Sequence, residues 1–600
     1  MKAVLLFFLL MMFCSKGMAQ SMDCQPGTSK MEIEGENFRA LLLNQADMFW
    51  DPNFQRAAFQ WPKTNGSIIN GKHLLFSNAL WMGGIDSTNG SFLLTLQRYR
   101  LNSRSYWPGP ILNNPADSLN ASVCNFWNRH FKVDRPSLDS FALAVQNHPL
   151  PLPTHLIPHQ IREWPGKGNP FLFAQAQNIS PKTAQSLLQE LAPFVDVNNN
   201  GIYEPAQGDY PDLGQRKSMV WCVMNDAGNT KWFYSDFPSA SSIPCKWEFQ
   251  LLASVFPSYS GVNQYLGNSL FLDWKIINKG QKSLDSTFIA IFSDPDLGNA
   301  SDDFIGSHPL KNLAYCYNGD SVDEGSPGYG NNPPVVGFKI LDAPGPFATS
   351  DGFDNNLNGQ IDEPGEKKIV NGFAFHETNN PGQNPPQYSN IRNLLRTRRI
   401  SGVPFSYGGI GFAPVSPNNP ATNFMFPGDS DPIGYGLGGT VQNPISMAPW
   451  SEITENNLPG DRRFVLSSGP FKFRPGESIR YQYAVLVGHG GNHLQNINNL
   501  FSVSDSLDLL RPLLTSSLPL LPQSPEDIRL YPNPTAGELY FLSKNPVEEY
   551  ALFDARGRPV KTERLSSTNQ FINLKNMPAG IYFLKLVQGG KVIFRKVVKE

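Results

Sequence analysis

Short apolar runs rich in Val, Ile, Leu, Phe and Tyr recur along most of the chain, and turns of Asn, Gly and Pro separate them. Residues 269–278 and 286–292 predict two long strands that pair with each other around Lys279-Gly280. Short strands with regular turn signals are typical of antiparallel sandwiches. The pattern predicts a mainly β, multi-domain protein with an N-terminal β-rich region and a central jelly-roll-like β-sandwich.

The last part of the chain has its own regular pattern and predicts an immunoglobulin-like β-sandwich. Residues 516–525, which hold prolines and serines, predict the linker that precedes it. Seven apolar runs separated by turn residues predict its strands: 528–531, 538–542, 550–553, 559–565, 570–574, 581–587 and 591–598. The expected domains are therefore 1–19, 20–250, 251–515, the linker 516–525 and 526–600.

Two segments have helical rather than strand periodicity. Ser180 is a good N-cap with Pro181 at the first helical position, and apolar residues then recur at helical spacing until Pro193. Residues 496–510 place their leucines and isoleucine on one face. The sequence therefore predicts two helices in an otherwise β protein.

Two motifs identify the tail. It opens with Tyr531-Pro532-Asn533-Pro534 and later contains Pro578-Ala579-Gly580-Ile581-Tyr582-Phe583. With its position at the C-terminus, it resembles the type A C-terminal sorting domain of the type IX (Por) secretion system of Bacteroidetes. The resemblance implies that the outer-membrane translocon, its shuttle and a sortase bind residues 526–600. It also implies release of the cargo or its attachment to anionic lipopolysaccharide. The alternative is an ordinary immunoglobulin-like spacer or adhesive arm.

The N-terminus predicts a signal peptide. Lys2 is followed by the apolar run 4–13 and by the small-residue cleavage site Gly17-Met18-Ala19. This run is too short to span a bilayer, and no other apolar run in the sequence is long enough to do so. We therefore expect export to the periplasm through Sec, then passage across the outer membrane to the surface or the medium.

Composition and charge argue against a nucleic-acid-binding function. Charged residues make up 17% of the chain and its formal net charge is −2, so it lacks the basic footprint of a nucleic-acid-binding protein.

The body of the chain also resembles a known group of proteins. Its segments 294–298, 317–320 and 459–463 are similar to those of large uncharacterised exported proteins of the same bacteria. That resemblance implies a class of protein and no mechanism.

Cysteine usage fits an exported protein. Five of the six cysteines follow the expected signal peptide, so at least one is unpaired within the chain. Cys222 and Cys245 flank a turn-rich segment and are the most plausible disulfide. No Cys-x-x-Cys motif is present, which argues against structural zinc.

Two acidic loops share the pattern Asp, x, Asn, x, Asn, Gly, x, apolar, acidic. Oxygen ligands at alternate positions with Gly at the sixth suit Ca²⁺, and both loops resemble EF-hand and dockerin-type loops. They depart from the EF-hand at position twelve, where Gln207 and Gly365 replace the bidentate Glu. We expect structural Ca²⁺, with the apolar eighth residue packed inward; the alternative is a pair of Asn-Gly turns. The candidate ligands are Asp196, Asn198, Asn200, Glu204 and Asp209 in the first loop, and Asp354, Asn356, Asn358, Asp362 and Glu366 in the second.

A third acidic group follows the strand 286–292. Its members are Asp294, Asp296, Asp302 and Asp303. Closely spaced carboxylates favour convergence on one metal ion, but a catalytic carboxylate pair of the glycosidase type and a solvated turn remain alternatives.

The sequence contains no nucleophile elbow, His-Glu-x-x-His, phosphate loop or dinucleotide fingerprint, and we predict no catalytic residue. The leading hypothesis is a non-enzymatic, calcium-stabilised protein for adhesion, glycan contact or surface structure. The alternative is a secreted glycosidase or peptidase that uses the carboxylates of the Asp294–Asp303 cluster.

Overall fold

A computed structural model of the chain describes residues 24–97, 105–112, 120–228, 244–258, 266–355, 359–376, 388–413, 418–432, 434–437, 448–515, 529–531, 533–542, 547–555, 557–565, 571–588 and 591–599. The expected signal peptide and the linker 516–525 lie outside these residues. The chain divides into two compact units. The larger one comprises Met1–Phe141 and Leu150–Leu514, and the smaller one Ala142–Pro149 and Thr515–Glu600.

The strands of the larger unit are β1 (Lys30–Glu34), β2 (Arg39–Leu43), β3 (Asp47–Met48), β4 (Trp50–Asp51), β5 (Arg56–Ala57), β6 (Phe59–Gln60), β7 (His73–Leu75), β8 (Ser77–Asp86), β9 (Phe92–Thr95), β10 (Trp107–Pro108), β11 (Phe131–Asp134), β12 (Phe194–Val195), β13 (Tyr210–Pro211), β14 (Ser218–Asn225), β15 (Trp247–Val255), β16 (Leu270–Asn278), β17 (Leu284–Asp294), β18 (Asp303–His308), β19 (Leu313–Asn318), β20 (Val322–Asp323), β21 (Gly330–Asn331), β22 (Val335–Asp342), β23 (Gly372–His376), β24 (Phe405–Ser406), β25 (Ala421–Thr422), β26 (Arg463–Phe473) and β27 (Ser478–Gly488). The helices are α1 (Ala121–Trp127), α2 (Arg135–Asn147), α3 (His159–Arg162), α4 (Pro170–Gln177), α5 (Pro181–Ser186), α6 (Tyr388–Leu395) and α7 (His493–Thr515).

Two antiparallel sheets form a β-sandwich at the centre of this unit. In the large sheet the strand order is β10-β14-β15-β16-β27-β22-β19-β18, and β11 also pairs with β14. In the small sheet the order is β23-β26-β17-β8-β3, and β9 also pairs with β8. The expected pairing of residues 269–278 with 286–292 is wrong, because β16 and β17 lie in different sheets. Alternate residues of both sheets point into one buried core, such as Leu272 and Trp274 of β16 and Ile289 and Ile291 of β17. The mainly β fold class predicted from the sequence is confirmed.

Helices cover parts of the outer faces of the sandwich. Buried leucines and an isoleucine of α6 pack on the small sheet, and Leu500 and Leu507 of α7 pack on the large sheet. At the other end of the large sheet, Trp127 of α1 lies edge-on to Trp221 of β14, with ring centroids 6.2 Å apart. The outer face of the large sheet between these two covers carries mostly polar side chains, with Leu252 among them.

The domain boundary expected at residue 250 is wrong, because it falls inside a strand. Residues 250 and 251 both lie within β15, which pairs with β14 on one side and with β16 on the other. Strand β8 from the first region likewise pairs with β17 from the second. Sheet pairing between distant segments therefore joins the two expected regions into one fold.

The region expected to be β-rich also contains α1 to α5 between residues 121 and 186. Helix α4 begins with the cap and proline arrangement that the sequence showed for α5: Asn169 caps it and Pro170 follows. The predicted Ser180 cap is confirmed, because its hydroxyl accepts the N–H of Thr183 at 3.1 Å. Helix α5 ends at Ser186 rather than at Pro193, since the carbonyl of Leu187 accepts the N–H of Gly168 instead of continuing the helix.

The cysteine pairing differs from the prediction. A disulfide joins Cys24 to Cys124, which are 100 residues apart in sequence. Cys222 and Cys245, the expected pair, are not joined by a disulfide, and both lie buried in the sandwich core, as does the third cysteine outside the disulfide, Cys316. Spacing alone could not show that Cys222 points into the core from the middle of β14.

The smaller unit contains all seven predicted strands of the tail, with boundaries shifted by one residue at most. They form one sheet in the order β28-β29-β32 and another in the order β31-β30-β33-β34, around a buried core that includes Leu552 and Leu584. These strands are β28 (Arg529–Tyr531), β29 (Glu538–Leu542), β30 (Glu549–Phe553), β31 (Pro559–Arg564), β32 (Phe571–Asn573), β33 (Gly580–Gln588) and β34 (Lys591–Lys599).

Candidate functional site

The first acidic loop connects the two short strands β12 and β13, which pair through Val195 and Tyr210. Asp209 closes the loop from its far end. Its carboxylate is fully buried and accepts the N–H of Val197 and the N–H of Glu204, each at 2.8 Å. Two backbone donors thus hold the first and last parts of the loop together through one side chain.

The other predicted ligands of this loop lie within the same turn. Asp196 accepts the N–H of Gly201 at 2.6 Å, Asn198 accepts the N–H of Asn200 at 3.1 Å, and the side-chain amide of Asn200 donates to Glu204 at 2.5 Å. Gly201 has φ +78°, the left-handed conformation for which glycine is favoured. The structure therefore brings all five predicted residues of the first loop together.

Tyr203, the eighth residue of the loop, anchors it to the body. It is fully buried and its hydroxyl donates to the carbonyl of Ile161 at 2.7 Å. Its ring lies edge-on to Phe194 of β12, with centroids 5.3 Å apart. The expectation that the apolar eighth residue packs inward is confirmed in the first loop.

The second loop repeats two of these contacts. Asp354 accepts the N–H of Gly359 at 2.7 Å, as Asp196 does from Gly201. Glu366 is buried and accepts the N–H of Asn355 at 2.5 Å, as Asp209 does from the second residue of its loop. The same two carboxylate-to-backbone bonds therefore define both loops.

The second loop also departs from the first. Asp362 accepts the N–H groups of Asp351 and Gly352, at 2.9 and 3.1 Å, so it turns toward the segment before the loop. Ile361, the eighth residue, is 63% exposed, and the expectation that it packs inward is wrong here. The predicted ligands Asn356 and Asn358 lie outside the described residues.

Both closing carboxylates are costly to bury. Burial raises the pKa of Asp209, and burial followed by the charge of Glu363 raises the pKa of Glu366. One carboxylate oxygen of Glu366, Oε2, is buried and makes no hydrogen bond within the described part of the chain. A cation at either loop would lower the cost of burying these charges.

The third acidic group divides into two parts. Asp294 and Asp296 meet Asp461, and one carboxylate oxygen from each lies within 4.8 Å of the others. Arg463 contacts two of them, with Nε 2.9 Å from Asp294 and a terminal nitrogen 3.2 Å from Asp461. Burial first, and then the charges of Asp294 and Asp461, hold the pKa of Asp296 well above its usual value.

Asp302 and Asp303 interact with different residues, Asp323 and Leu297. Asp303 is fully buried and accepts the N–H of Leu297 at 2.9 Å. Burial and the charge of Asp323 raise the pKa of Asp302 to about 7. The sequence analysis missed Asp323 and Asp461 as members of this group, because both are distant from it in sequence. Pairing of β17 with β26 brings Asp461 close, and Asp323 accepts the N–H of Asn299 at 3.1 Å.

A groove of about 590 Å³ lies over the part of the large sheet that the helices leave open. We call it the sheet groove. Its wall is the segment 190–194, and its floor comes from β14, β15, β16 and β27. No sequence pattern predicts this groove, because its floor residues are neighbours only across strands. None of the four predicted cluster carboxylates lines it.

Comparison with known proteins identifies a family for the tail. Its two-sheet sandwich at the C-terminus matches the fold that the resemblance implied, and residues 529–600 match the family described as the secretion system C-terminal sorting domain. The tail is a type IX sorting domain, and the protein is exported across the outer membrane to the cell surface or the medium. The secretion machinery is accordingly the partner of this domain.

The same comparisons say little about the body. No curated protein matches the chain. A solved structure of a polysaccharide lyase aligns with 59% of this chain and 34% of its own, at 9% identity and a TM-score of 0.16, which carries no argument about fold or activity. The chain spans about a third of the length of that protein. Among the residues that the structure describes, no helix combines the length and apolarity needed to cross a membrane.

Proposed function

We propose that residues 24–515 form a non-catalytic, calcium-stabilised contact module that type IX secretion delivers to the cell exterior, for adhesion, glycan contact or surface structure. The observation that supports calcium binding is that both loops make the same two carboxylate-to-backbone hydrogen bonds. In each, the first Asp accepts the N–H of the sixth residue and a buried carboxylate accepts the N–H of the second. Two loops far apart in sequence share a scheme that leaves several carboxylate and carboxamide oxygens at one turn.

The residues of the first loop fit a hard cation. Asp196, Glu204 and Asp209 supply carboxylates, and Asn198 and Asn200 supply carboxamide oxygens, which is the ligand chemistry of Ca²⁺. In the second loop Asp354 and Glu366 occupy the equivalent places. Ca²⁺ would neutralise the carboxylates there and hold the ends of each loop together. Extracellular modules commonly bind it with dissociation constants of roughly 10⁻⁴–10⁻³ M.

We include the group of Asp294, Asp296 and Asp461 as a third cation site. Three carboxyl groups face one guanidinium there, so ionising all three would leave an excess of negative charge in a mostly buried place. A divalent cation would balance that excess.

Burial of the carboxylates favours a contact protein over the alternative of a hydrolase. A glycosidase needs two carboxyl groups that flank the substrate bond. Asp294 is 1% exposed and paired with Arg463, and Asp303 is fully buried. The sorting domain adds the secretion machinery as partner, and anionic lipopolysaccharide or surface glycans are the proposed contacts outside the cell.

Scanning calorimetry of the secreted chain, in excess CaCl₂ and in excess EGTA, tests this proposal. We expect a higher melting temperature of the larger unit in calcium, and a smaller shift in Asp196→Asn and in Asp354→Asn. Asp285→Asn, which alters an exposed ion pair elsewhere, is the matched control. Equal melting temperatures in calcium and EGTA would refute the calcium proposal. Turnover of a polysaccharide or peptide that Asp303→Asn abolishes without a change in melting would favour the hydrolase instead.

A further inference from the structure

We propose that the sheet groove binds a neutral oligosaccharide, an inference that deepens the proposed function by naming the class of ligand and its site. The floor consists of two cross-strand rows on the outer face of the large sheet. Trp221, Leu252 and Asp273 form one row, and Gln250, Lys275 and Arg480 form the other. The volume of about 590 Å³ is within the range of small-molecule sites, roughly 300–1,000 Å³.

The wall of the groove is fixed before any ligand arrives. The side-chain amide of Gln250 donates to the carbonyl of Glu190 at 2.9 Å, which ties the wall to the floor. From the other side, the indole of Trp164 donates to the carbonyl of Pro193 at 2.9 Å, and Phe194 packs on the buried Tyr203. A pre-formed groove loses less entropy on binding than one that must be ordered.

The chemistry of the lining matches a sugar ring. Leu252 is partly exposed and, in the same cross-strand row as Trp221, provides an apolar surface. Asp273 accepts two hydrogen bonds from the guanidinium of Arg480, at 2.8 and 2.5 Å, which fixes an acceptor and a donor side by side. Vicinal hydroxyls both donate and accept, so such a pair can bind two neighbouring hydroxyl groups of one sugar.

The charge of the lining excludes strongly ionic ligands. Glu190 and Asp273 are balanced by Lys275 and Arg480, so the four ionisable side chains of the groove sum to zero. An anionic or cationic polymer would meet as much repulsion as attraction there. A peptide that adds as a strand needs an open sheet edge, whereas β15, β16 and β27 are each paired on both sides.

Isothermal titration of the secreted chain with neutral hexasaccharides of glucose, mannose, galactose and xylose tests the proposal. The buffer holds about 10 mM CaCl₂, above the usual range of extracellular calcium sites. The charged probes are hexagalacturonate and a chitosan hexamer. We expect at least one neutral hexasaccharide to bind, and the Asp273→Asn/Arg480→Gln variant to bind it at least about tenfold more weakly, because it loses charge-assisted hydrogen bonds.

The matched control is Asp285→Asn, which alters the cross-strand ion pair with Lys472 on the small sheet and should bind like wild type. The proposal is overturned if no neutral hexasaccharide binds, if the double variant binds as wild type does, or if only a charged oligomer binds. The calorimetric comparison of calcium with EGTA on the same samples separates the two proposals. A calcium shift without sugar binding contradicts the groove alone, and sugar binding without a calcium shift contradicts the calcium loops alone.

Discussion

Tyr203 of the first acidic loop lies edge-on to Phe194 of the groove wall, with ring centroids 5.3 Å apart. Only one residue, Val195, separates Phe194 from Asp196, the first candidate ligand. The loop and the wall are therefore joined both through the chain and through buried aromatic packing. A cation that orders the loop would also restrain the wall of the groove.

Replacing Tyr203 measures this anchor. Tyr203→Ala removes a fully buried ring and the hydrogen bond to Ile161, and we expect a loss of roughly 3–5 kcal/mol in the free energy of unfolding. The matched control is Ile361→Ala at the same position of the second loop, which is 63% exposed and should change stability by no more than about 0.5 kcal/mol. Denaturant unfolding measures both variants. Equal losses in the two would contradict the inward packing of the first loop alone.

The disulfide has a direct chemical test. Under non-reducing denaturation, alkylation should label Cys222, Cys245 and Cys316 and leave Cys24 and Cys124 unlabelled, as peptide mapping by mass spectrometry would show. Reduction should lower the free energy of unfolding by roughly 2–4 kcal/mol, because the bond closes a long loop in the unfolded chain. A bridged Cys222–Cys245 peptide would refute the assignment.

The buried His130 should make the folding stability of the larger unit sensitive to acid. It is 8% exposed, and burial lowers its pKa from 6.5 to about 3. The unfolded chain therefore binds a proton below about pH 6.5 while the folded chain does not. Stability is complete above that pH and falls toward about pH 3, by about 2 kcal/mol between pH 6.5 and about pH 5.

Denaturant unfolding across this range, in wild type and in His130→Gln, measures that contribution. Glutamine keeps a polar partner for Ser29, whose hydroxyl lies 2.9 Å from the ring, but does not titrate. We expect a shallower pH slope in this variant. His155→Gln, at an exposed position, is the matched control. Identical slopes in all three proteins would exclude the contribution of His130.

Asp296→Asn distinguishes a cation site from a purely structural cluster. In EGTA the substitution removes one of three mutually repelling carboxylates, so the melting temperature should stay the same or rise. In calcium the same substitution removes a ligand, so the melting temperature should fall relative to wild type. Scanning calorimetry in both buffers gives the comparison. The same effect in both would show that no cation binds there.

Local patterns in the sequence predicted the elements that depend on local chemistry. Each strand of the tail lies between its own turn residues, and all seven were predicted. The five candidate ligands of the first loop lie within fourteen residues, so one turn brings them together. The Ser180 cap was likewise predicted, because a cap acts on the residues that follow it.

Features that depend on pairing between distant segments could not be predicted. Asp461 reaches Asp294 only because β26 lies beside β17, and the sheet groove exists only because β15, β16 and β27 are adjacent. The division expected at residue 250 was wrong for the same reason, since β15 is an internal strand of a sheet that spans both regions. The exposure of Ile361 shows that one sequence pattern can pack differently in two places.

A calcium titration of the metal-free secreted chain by isothermal titration calorimetry tests the central claim most directly. We predict saturable binding with dissociation constants of roughly 10⁻⁴–10⁻³ M, part of which is lost in Asp196→Asn and a different part in Asp354→Asn, with Asp285→Asn unchanged. No saturable binding up to about 10 mM calcium, an upper limit set by that range, would contradict the claim, as would loop variants that titrate as wild type does.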